Sequence, residues 1–179
     1  MESWDIIVIG SGPAALRAAI ASADAGTIPV MIDSSAVGSA SDSTPLSGLA
    51  ASIDEIDSTA HRDDTVAAGG ELTDKVAAAR FCGEAVSVLA ELERWGLVLR
   101  RREGGLPHTS EAPGHSRARL TGCGDSTARE VTRILEEQVI KRGVPRRSDL
   151  VPLSLVMDNQ QIRGVVVLDL MTGEIASIQ

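Results

Sequence analysis

Aromatic side chains are almost missing from this sequence: of 179 residues none is tyrosine, one is phenylalanine (Phe81) and two are tryptophan (Trp4 and Trp95). So few rings provide no platform for stacking bases, and the charge has the wrong sign for a phosphate backbone, with 17 basic side chains against 25 acidic ones. Nucleic acid is therefore not an expected partner. The one basic run, Arg100, Arg101 and Arg102, reads as an exposed helix end or loop. Cysteine is scarce as well: Cys82 and Cys123 lie far apart and neither belongs to a C-x-x-C pair, which favours a reduced, cytoplasmic setting over an oxidising one. No apolar run reaches the ~18–20 residues of a membrane span, and no basic stretch precedes an apolar segment and cleavage site at the start. No Cys, His and Asp/Glu spacing fits a metal site, and no serine stands in a G-x-S-x-G context.

What is present is an apolar share of 43%, made largely of Ala, Val, Leu and Ile. A single domain of this length buries roughly 70% of its unfolded surface, enough for a core without staples. Residues 4–9 (WDIIVI) form an uninterrupted apolar run, as a strand covered on both faces requires. Gly10-Ser11-Gly12-Pro13-Ala14-Ala15 follows, then an alanine-rich helical stretch to residue 25 that stops at Gly26. Residues 27–32 (TIPVMI) read as a second strand ending at Asp33, completing a β-α-β unit.

Between residues 33 and 52 the composition turns to Ser, Ala, Gly, Thr and Pro, and a loop of that length inside a compact domain is usually functional. Residues 57–68 and 72–95 show helical spacing, and in the second helix Val76, Ala79, Cys82, Val86, Leu89 and Leu92 can share one face. Residues 100–124 suggest an irregular excursion. Ser126 then reads as the N-cap of a helix reaching residue 139 or 141, stopped by Gly143. Runs 150–156, 163–170 and 174–178, separated by turn-like Asp158-Asn159-Gln160 and Met171-Thr172-Gly173, predict an antiparallel meander. The fold class is α/β.

A glycine-rich turn between a buried strand and a helix gathers backbone N–H groups and the positive end of the helix dipole where a pyrophosphate can sit. Gly10 permits the tight turn, Gly12 the approach of a phosphate, and Ala15 the close packing of helix on strand, alanine being accepted at that third position. Asp33 lies 23 residues after Gly10, near the ~20-residue spacing of an acid that binds ribose hydroxyls. Strand, turn, helix and acid together point to a dinucleotide. The loop does not distinguish FAD from NAD.

Read in order, the chain resembles the N-terminal part of the flavoprotein subunit of succinate dehydrogenase and fumarate reductase, a superfamily that includes L-aspartate oxidase. The resemblance is carried by Gly10 to Ile20, by Thr44-Pro45-Leu46-Ser47-Gly48-Leu49-Ala50-Ala51, by Asp63-Asp64-Thr65 with Gly69-Gly70, and by Glu91 to Gly96. It continues through Gly114-His115-Ser116 with Arg119, Gly124-Asp125-Ser126-Thr127, Lys141-Arg142-Gly143-Val144 and Leu168 to Ile175.

The resemblance implies a Rossmann-like FAD-binding domain, a parallel sheet with helices, plus the three-stranded antiparallel meander. Residues 1–179 would be its N-terminal part: β-α-β unit 4–33, flavin loop 34–52, helical region 53–143 and meander 150–178, without the capping and C-terminal domains. Gly10, Ser11, Gly12, Ala14 and Ala15 would face the FAD pyrophosphate, with Asp33 and the adjoining Ser34 at the adenosine ribose. Ser43, Thr44, Ser47, Gly48 and Leu49 would lie along the flavin ring. Membrane-bound members carry a histidine in this loop that bonds to the flavin; residues 39–51 contain none, so the FAD is expected to be non-covalent.

The implied chemistry is hydride exchange between flavin N5 and a four-carbon dicarboxylate, with L-aspartate oxidation and a non-catalytic dinucleotide-binding module as alternatives. No catalytic residue and no metal ligand is assigned in this chain, which alone is expected to be inactive. Implied partners are the rest of the flavoprotein or a second chain, an iron–sulfur subunit and the dicarboxylate substrate, with membrane contact made only through partner subunits. His115 reads as holding the irregular segment by hydrogen bonds rather than as a ligand. Cys82 reads as a small core residue, and Asp63-Asp64 as helix-start acids complementing the macrodipole.

Overall fold

A computed structural model of the protein describes residues 3–35, 48–53 and 57–179. In chain order its elements are β1 (Ile6–Ile9), α1 (Pro13–Asp24), β2 (Pro29–Ile32), β3 (Leu49–Ala50), α2 (Asp57–Gly69), α3 (Lys75–Arg94), β4 (Leu120–Thr121), α4 (Thr127–Lys141), β5 (Arg146–Arg147), β6 (Leu150–Asp158), β7 (Gln161–Asp169) and β8 (Ile175–Ile178). The chain divides into two compact units, Met1–Thr44 with Val131–Gln179, and Pro45–Glu130.

In the first unit β1, β2 and β5 form a parallel sheet in the order β1-β2-β5. Ile6 lies beside Pro29 and Ile9 beside Ile32, and α1 packs on β1 and β2 through Leu16, Ala19 and Ile20, all 0% exposed. All four residues of β2 are buried, as the central strand of a covered sheet demands. Pro29 lacks an N–H but stands at the first position of its strand, where the loss is tolerated. In α4 the residues Val131, Ile134, Leu135, Gln138 and Val139 are buried at the i, i+3, i+4, i+7, i+8 positions of one helical face. Arg142 ties this helix to the end of α1. Its Nε and Nη2 donate to the two carboxylate oxygens of Asp24 at 2.7 and 3.0 Å, and Nη1 donates to the backbone oxygen and Oε1 of Gln138.

The predicted meander is present in the order β6-β7-β8, antiparallel throughout. Leu150, Val165, Val167 and Ile178 on one of its faces join Val30 and Ile32 in a single core cluster, against which Trp4 and Ile7 pack. Each such side chain contributes about 1.5–3 kcal/mol on burial. Asn159 and Gln160 close the first hairpin with φ of 47° and 65°, the left-handed pair that a two-residue turn needs. The short strand β5 was not legible beforehand, because two arginines carry no β pattern. It forms because the stop at Gly143 and the turn at Pro145 bring the chain back alongside β2, where Met31 N donates to Pro145 O and Asp33 N to Arg147 O.

In the second unit α2 and α3 pack as a helical hairpin joined by a 3-10 turn, Gly70–Leu72. Asp74 caps α3 by accepting from Val76 N and Ala77 N at 2.9 and 3.0 Å. The buried stripe of α3 is Ala78, Cys82, Leu89 and Leu92, which corrects the face expected from the sequence. Cys82, Leu89 and Leu92 are as predicted, but Val76 is 81% exposed and Ala79 and Val86 are exposed too. An alanine-rich helix offers several apolar stripes, and the fit against α2 selects among them. The segment after α3 is irregular, as expected, apart from bridges at Arg101 with Pro107 and Ser110 with Leu120 and the short β3–β4 pair. A 3-10 turn, Gly124–Ser126, leads into α4, so the hydroxyl that organises this start belongs to Thr127 rather than Ser126: it accepts from Cys123 N and donates to Gly124 O.

Candidate functional site

The loop between β1 and α1 has the geometry of an anion cradle. Gly10 has φ +118°, a backbone conformation that L side chains rarely adopt, and its N–H donates to Ile32 O at 2.8 Å, pinning the loop to the end of β2. A Cβ on Gly10 would meet Cβ of Ala15 at 3.6 Å, which is the close passage of helix over strand expected from a small residue at position 15. Gly12 occupies the N-cap of α1 in extended conformation; no side chain caps the helix and its first turn holds no acid. With Pro13 at its start, the helix presents its N-terminal N–H groups uncompeted. Ser11 is 2% exposed, and its Oγ is buried with no hydrogen-bond partner among the described residues.

Asp33 stands one residue beyond β2, its backbone held on both sides: its N–H donates to Arg147 O, and its C=O accepts from Leu150 N at 2.9 Å. One carboxylate oxygen accepts from Ser35 N at 3.3 Å and from the Ser35 hydroxyl at 3.4 Å, with the Ser34 hydroxyl at 3.5 Å. The other oxygen is buried without a hydrogen-bond partner among the described residues. An orphan hydroxyl at a helix N-terminus and an orphan carboxylate oxygen at the end of the neighbouring strand are costly unless a ligand satisfies them. A nucleotide with an anionic phosphate for the first and ribose hydroxyls for the second fits this donor and acceptor set. Gly10, Ser11, Gly12, Ala14, Ala15, Asp33 and Ser34 therefore form one group in the first unit. Gly48 and Leu49 belong to the second unit, and Ser43, Thr44 and Ser47 lie outside the described residues.

Gly48 and Gly122 mark a close backbone approach in the second unit. A Cβ on Gly48 would fall 2.7 Å from Leu120 Cγ and 2.8 Å from Thr121 O, and one on Gly122 would fall 2.4 Å from Thr127 Oγ1 and 3.1 Å from Gly48 Cα. Only glycine allows β3 and β4 to meet this way.

The same unit holds an ionic centre that the sequence did not disclose. Asp64 lies in the middle of α2, not at its start, which corrects its reading as a helix-start acid. Its Oδ2 accepts from Ser116 N at 2.7 Å, from the Ser116 hydroxyl at 2.8 Å and from Arg119 Nη1 at 2.6 Å. The Arg119 side chain is 1% exposed, and its Nη1 also lies 2.9 Å from Nδ1 of His115. His61, 2% exposed, stands with its ring 6.1 Å from that of His115. The expectation that His115 helps hold the irregular segment agrees with these contacts. The partner it depends on, 55 positions away from Arg119, has no signature in the sequence.

The Ser116 backbone N–H, then the Arg119 guanidinium and the Ser116 hydroxyl, hold the Asp64 carboxyl below its ordinary 3.8, at about 2. Since the folded value lies below the unfolded one, the stabilisation from Asp64 is complete above roughly pH 4 and is lost as pH falls through about 2. Acid unfolding of the protein and of Asp64→Asn should accordingly differ above pH 4 and converge near pH 2. Parallel curves across that whole range would show that Asp64 is not held in this way.

His115 and Ser116 line a hollow of about 500 Å³ with Glu111, Ala112, Pro113 and Arg117. Elsewhere in this unit the basic run is partly neutralised, Arg101 pairing with Glu93 and donating to Gly105 O. Among the described residues no group of three or more His, Cys, Asp or Glu side chains is placed to hold a metal ion, and no helix is long and apolar enough to cross a membrane.

Comparison with known proteins bears on both units. The family model described as FAD binding domain matches residues 5–179. The 8-methylmenaquinol:fumarate reductase flavoprotein subunit of Wolinella succinogenes is 33% identical over 184 aligned positions, covering 100% of this chain and 30% of that protein. An L-aspartate oxidase of Streptomyces coelicolor is 33% identical over 170 positions, covering 93% of this chain and 29% of its own length. Among solved structures, an E. coli quinol fumarate reductase superposes with a TM-score of 0.91 at 25% identity, over 99% of this chain and 31% of that one. The chain thus spans about 30% of the length of the curated relatives it matches.

Proposed function

The chain belongs to the FAD-binding-domain family, among the flavoproteins related to fumarate reductase and L-aspartate oxidase, and from that premise we propose that it supplies the FAD site of a dicarboxylate oxidoreductase. The observation that carries this reading is the pair of buried groups without a hydrogen-bond partner among the described residues, Ser11 Oγ and Asp33 Oδ2, at the two places where a dinucleotide phosphate and ribose would lie. Gly10, Ser11, Gly12, Ala14 and Ala15 would hold the pyrophosphate through backbone N–H groups and the α1 dipole. Asp33 would take the ribose, with Ser34 beside it. Gly48 and Leu49, together with Ser43, Thr44 and Ser47, would form the small-residue segment along the flavin. Bound there, FAD supplies the hydride acceptor and donor at N5 for a four-carbon dicarboxylate, succinate or fumarate. In this reading the residues of this chain would bind and orient it, and no group that clamps the substrate or transfers its proton is assigned among them.

Because the chain spans about 30% of the length of its relatives, the proposed working unit joins it to the remaining part of a flavoprotein, fused or separate; an iron–sulfur subunit as electron partner, a cytoplasmic setting and membrane contact only through partner subunits belong to the same proposal. L-aspartate oxidation is the second reading, favoured by the absence of histidine from residues 39–51, where a covalent flavin link would form. Both readings expect non-covalent FAD. Co-expressed with the products of neighbouring genes, the protein should yield a flavin spectrum and reduce fumarate with a reduced dye, and acid precipitation should leave the yellow colour in the supernatant. Colour that stays in the pellet would reject non-covalent binding. Oxidation of L-aspartate without fumarate reduction would select the second reading, and absence of flavin in every combination would reject the proposal.

A further inference from the structure

The basic run at residues 100–102 does not meet one environment. Arg101 pairs with Glu93, whereas Arg100 is built into a hollow of about 120 Å³ that Arg100, His108, Ser110, Thr121 and Gly124 help to line. Backbone bonds place these residues. Arg100 N donates to Gly122 O at 3.0 Å, His108 N donates to Arg100 O at 2.8 Å, and Ser110 and Leu120 exchange bonds of 2.9 and 3.1 Å. The polar groups so gathered lack acceptors. The Arg100 guanidinium has no ion pair and no hydrogen bond among the described residues, yet it does not stretch away from the chain: a Cβ on Gly124 would fall 2.9 Å from its Nη2. The His108 ring likewise has no partner among the described residues. Thr121 is 2% exposed, and its Oγ1 is buried with no hydrogen-bond partner among them. A solvated arginine needs no partner, but a buried hydroxyl left unsatisfied is costly. In a protein of net charge -8, none of the described residues lining this hollow is acidic.

We propose that the hollow binds a phosphate-type oxyanion, with Arg100 as its charged partner and His108 and Thr121 as further donors. A guanidinium forks onto two oxygens of one anion. Donors arriving from three stretches of chain suit the spread oxygens of a tetrahedral group better than the two coplanar oxygens of a carboxylate. The size agrees, because about 120 Å³ is well below the roughly 300–1,000 Å³ of pockets that enclose drug-sized ligands. The hollow therefore holds a small anion or the phosphoryl end of a larger molecule. Every residue of this site belongs to the second unit and none is shared with the Ser11 and Asp33 group, so the proposal stands apart from the FAD reading.

The site is read through His108 by nitrogen–proton NMR on histidine-labelled protein, with the ring assigned by substitution among the three histidines. At fixed pH and ionic strength, inorganic phosphate should shift the His108 signals saturably, with a Kd on the order of 1 mM. Arg100→Gln should weaken phosphate about 10- to 150-fold, and Thr121→Val about 2- to 10-fold. Phosphate held at the glycine turn of residues 10–12 would not give that dependence on Arg100. Signals that fail to saturate up to roughly 50 mM phosphate overturn the proposal, even if Arg100→Gln fails to fold. Unchanged affinity in a folded Arg100→Gln overturns it too, and so does an equal response to chloride, which would mean screening of a basic patch. Tighter binding of acetate than of phosphate overturns the choice of anion, and unchanged affinity in Thr121→Val removes that hydroxyl from the ligand. Methyl phosphate bound at least as tightly as phosphate identifies a phosphoryl group on a larger molecule as the occupant, and weaker binding identifies the free anion.

Discussion

Replacing Asp33 with alanine should weaken FAD binding about 10- to 150-fold, the range set by losing a charge-assisted hydrogen bond of ~1.5–3 kcal/mol. The carboxylate stands just past β2, and the oxygen that the substitution costs the ligand is the buried one that no residue satisfies among those described. The substitution should spare the fold, because what holds this position in the sheet is backbone: the bond from Asp33 N to Arg147 O and that from Leu150 N to Asp33 O both survive it. Calorimetric titration of FAD into both proteins, with melting curves run alongside, separates loss of a ligand contact from loss of structure. A change in affinity below about threefold would remove Asp33 from the ribose. Asp33→Asn should fall between, since it keeps one acceptor oxygen without the charge.

The largest structural effect is expected at Gly164. A Cβ there would come within 2.2 Å of Ile178 O and 3.1 Å of Gln179 Cγ, so even alanine forces β7 and β8 apart. The obstacle is backbone, which cannot rotate aside as a side-chain tip can. Pairing of β7 with β8 brings Val165 opposite Ile178, and both belong to the core cluster with Val30 and Ile32. Gly164→Ala should therefore cost about 1–3 kcal/mol, or a fall of roughly 2–12 °C in Tm for a chain of this size. Gly83 is the contrast. It lies inside α3 with nothing within 4 Å of an added Cβ, so Gly83→Ala should stabilise the protein by about 0.5–1 kcal/mol. If Gly164→Ala melted at the unaltered temperature, β8 would not be paired as described.

These expectations differ in how much of their basis was visible in the sequence. The glycine-rich turn between β1 and α1 was legible because its requirements are local. An apolar strand, a glycine that takes positive φ, a small residue at position 15 and an acid at the end of the next strand all lie within the first 33 residues. The meander was legible for a similar reason, since turn residues separate runs of β-branched side chains. The buried face of α3 was legible only in part: its spacing allowed Val76, Ala79 and Val86 to point inward, and packing against α2 turned them out. Strand β5 was invisible, because Arg146 and Arg147 become a strand only by lying beside Met31 and Ile32.

The sequence by itself thus determined the α/β class, the strand, glycine turn and helix with an acid after the next strand, and the family likeness, all of which depend on residues near one another in the chain or on motifs read in order. Only the tertiary structure decided that Asp64 is an ion-pair centre rather than a helix-start acid, and that His115 has its Nδ1 occupied. Hydrogen bonds between residues 52 and 55 positions apart depend on where the fold brings the chain back, and no pattern of neighbouring residues encodes that distance. The same holds for the orphan oxygens of Ser11 and Asp33. Their types could be read from the sequence, but whether other described residues satisfy them is a property of packing, and that unmet demand is what supports the proposed site.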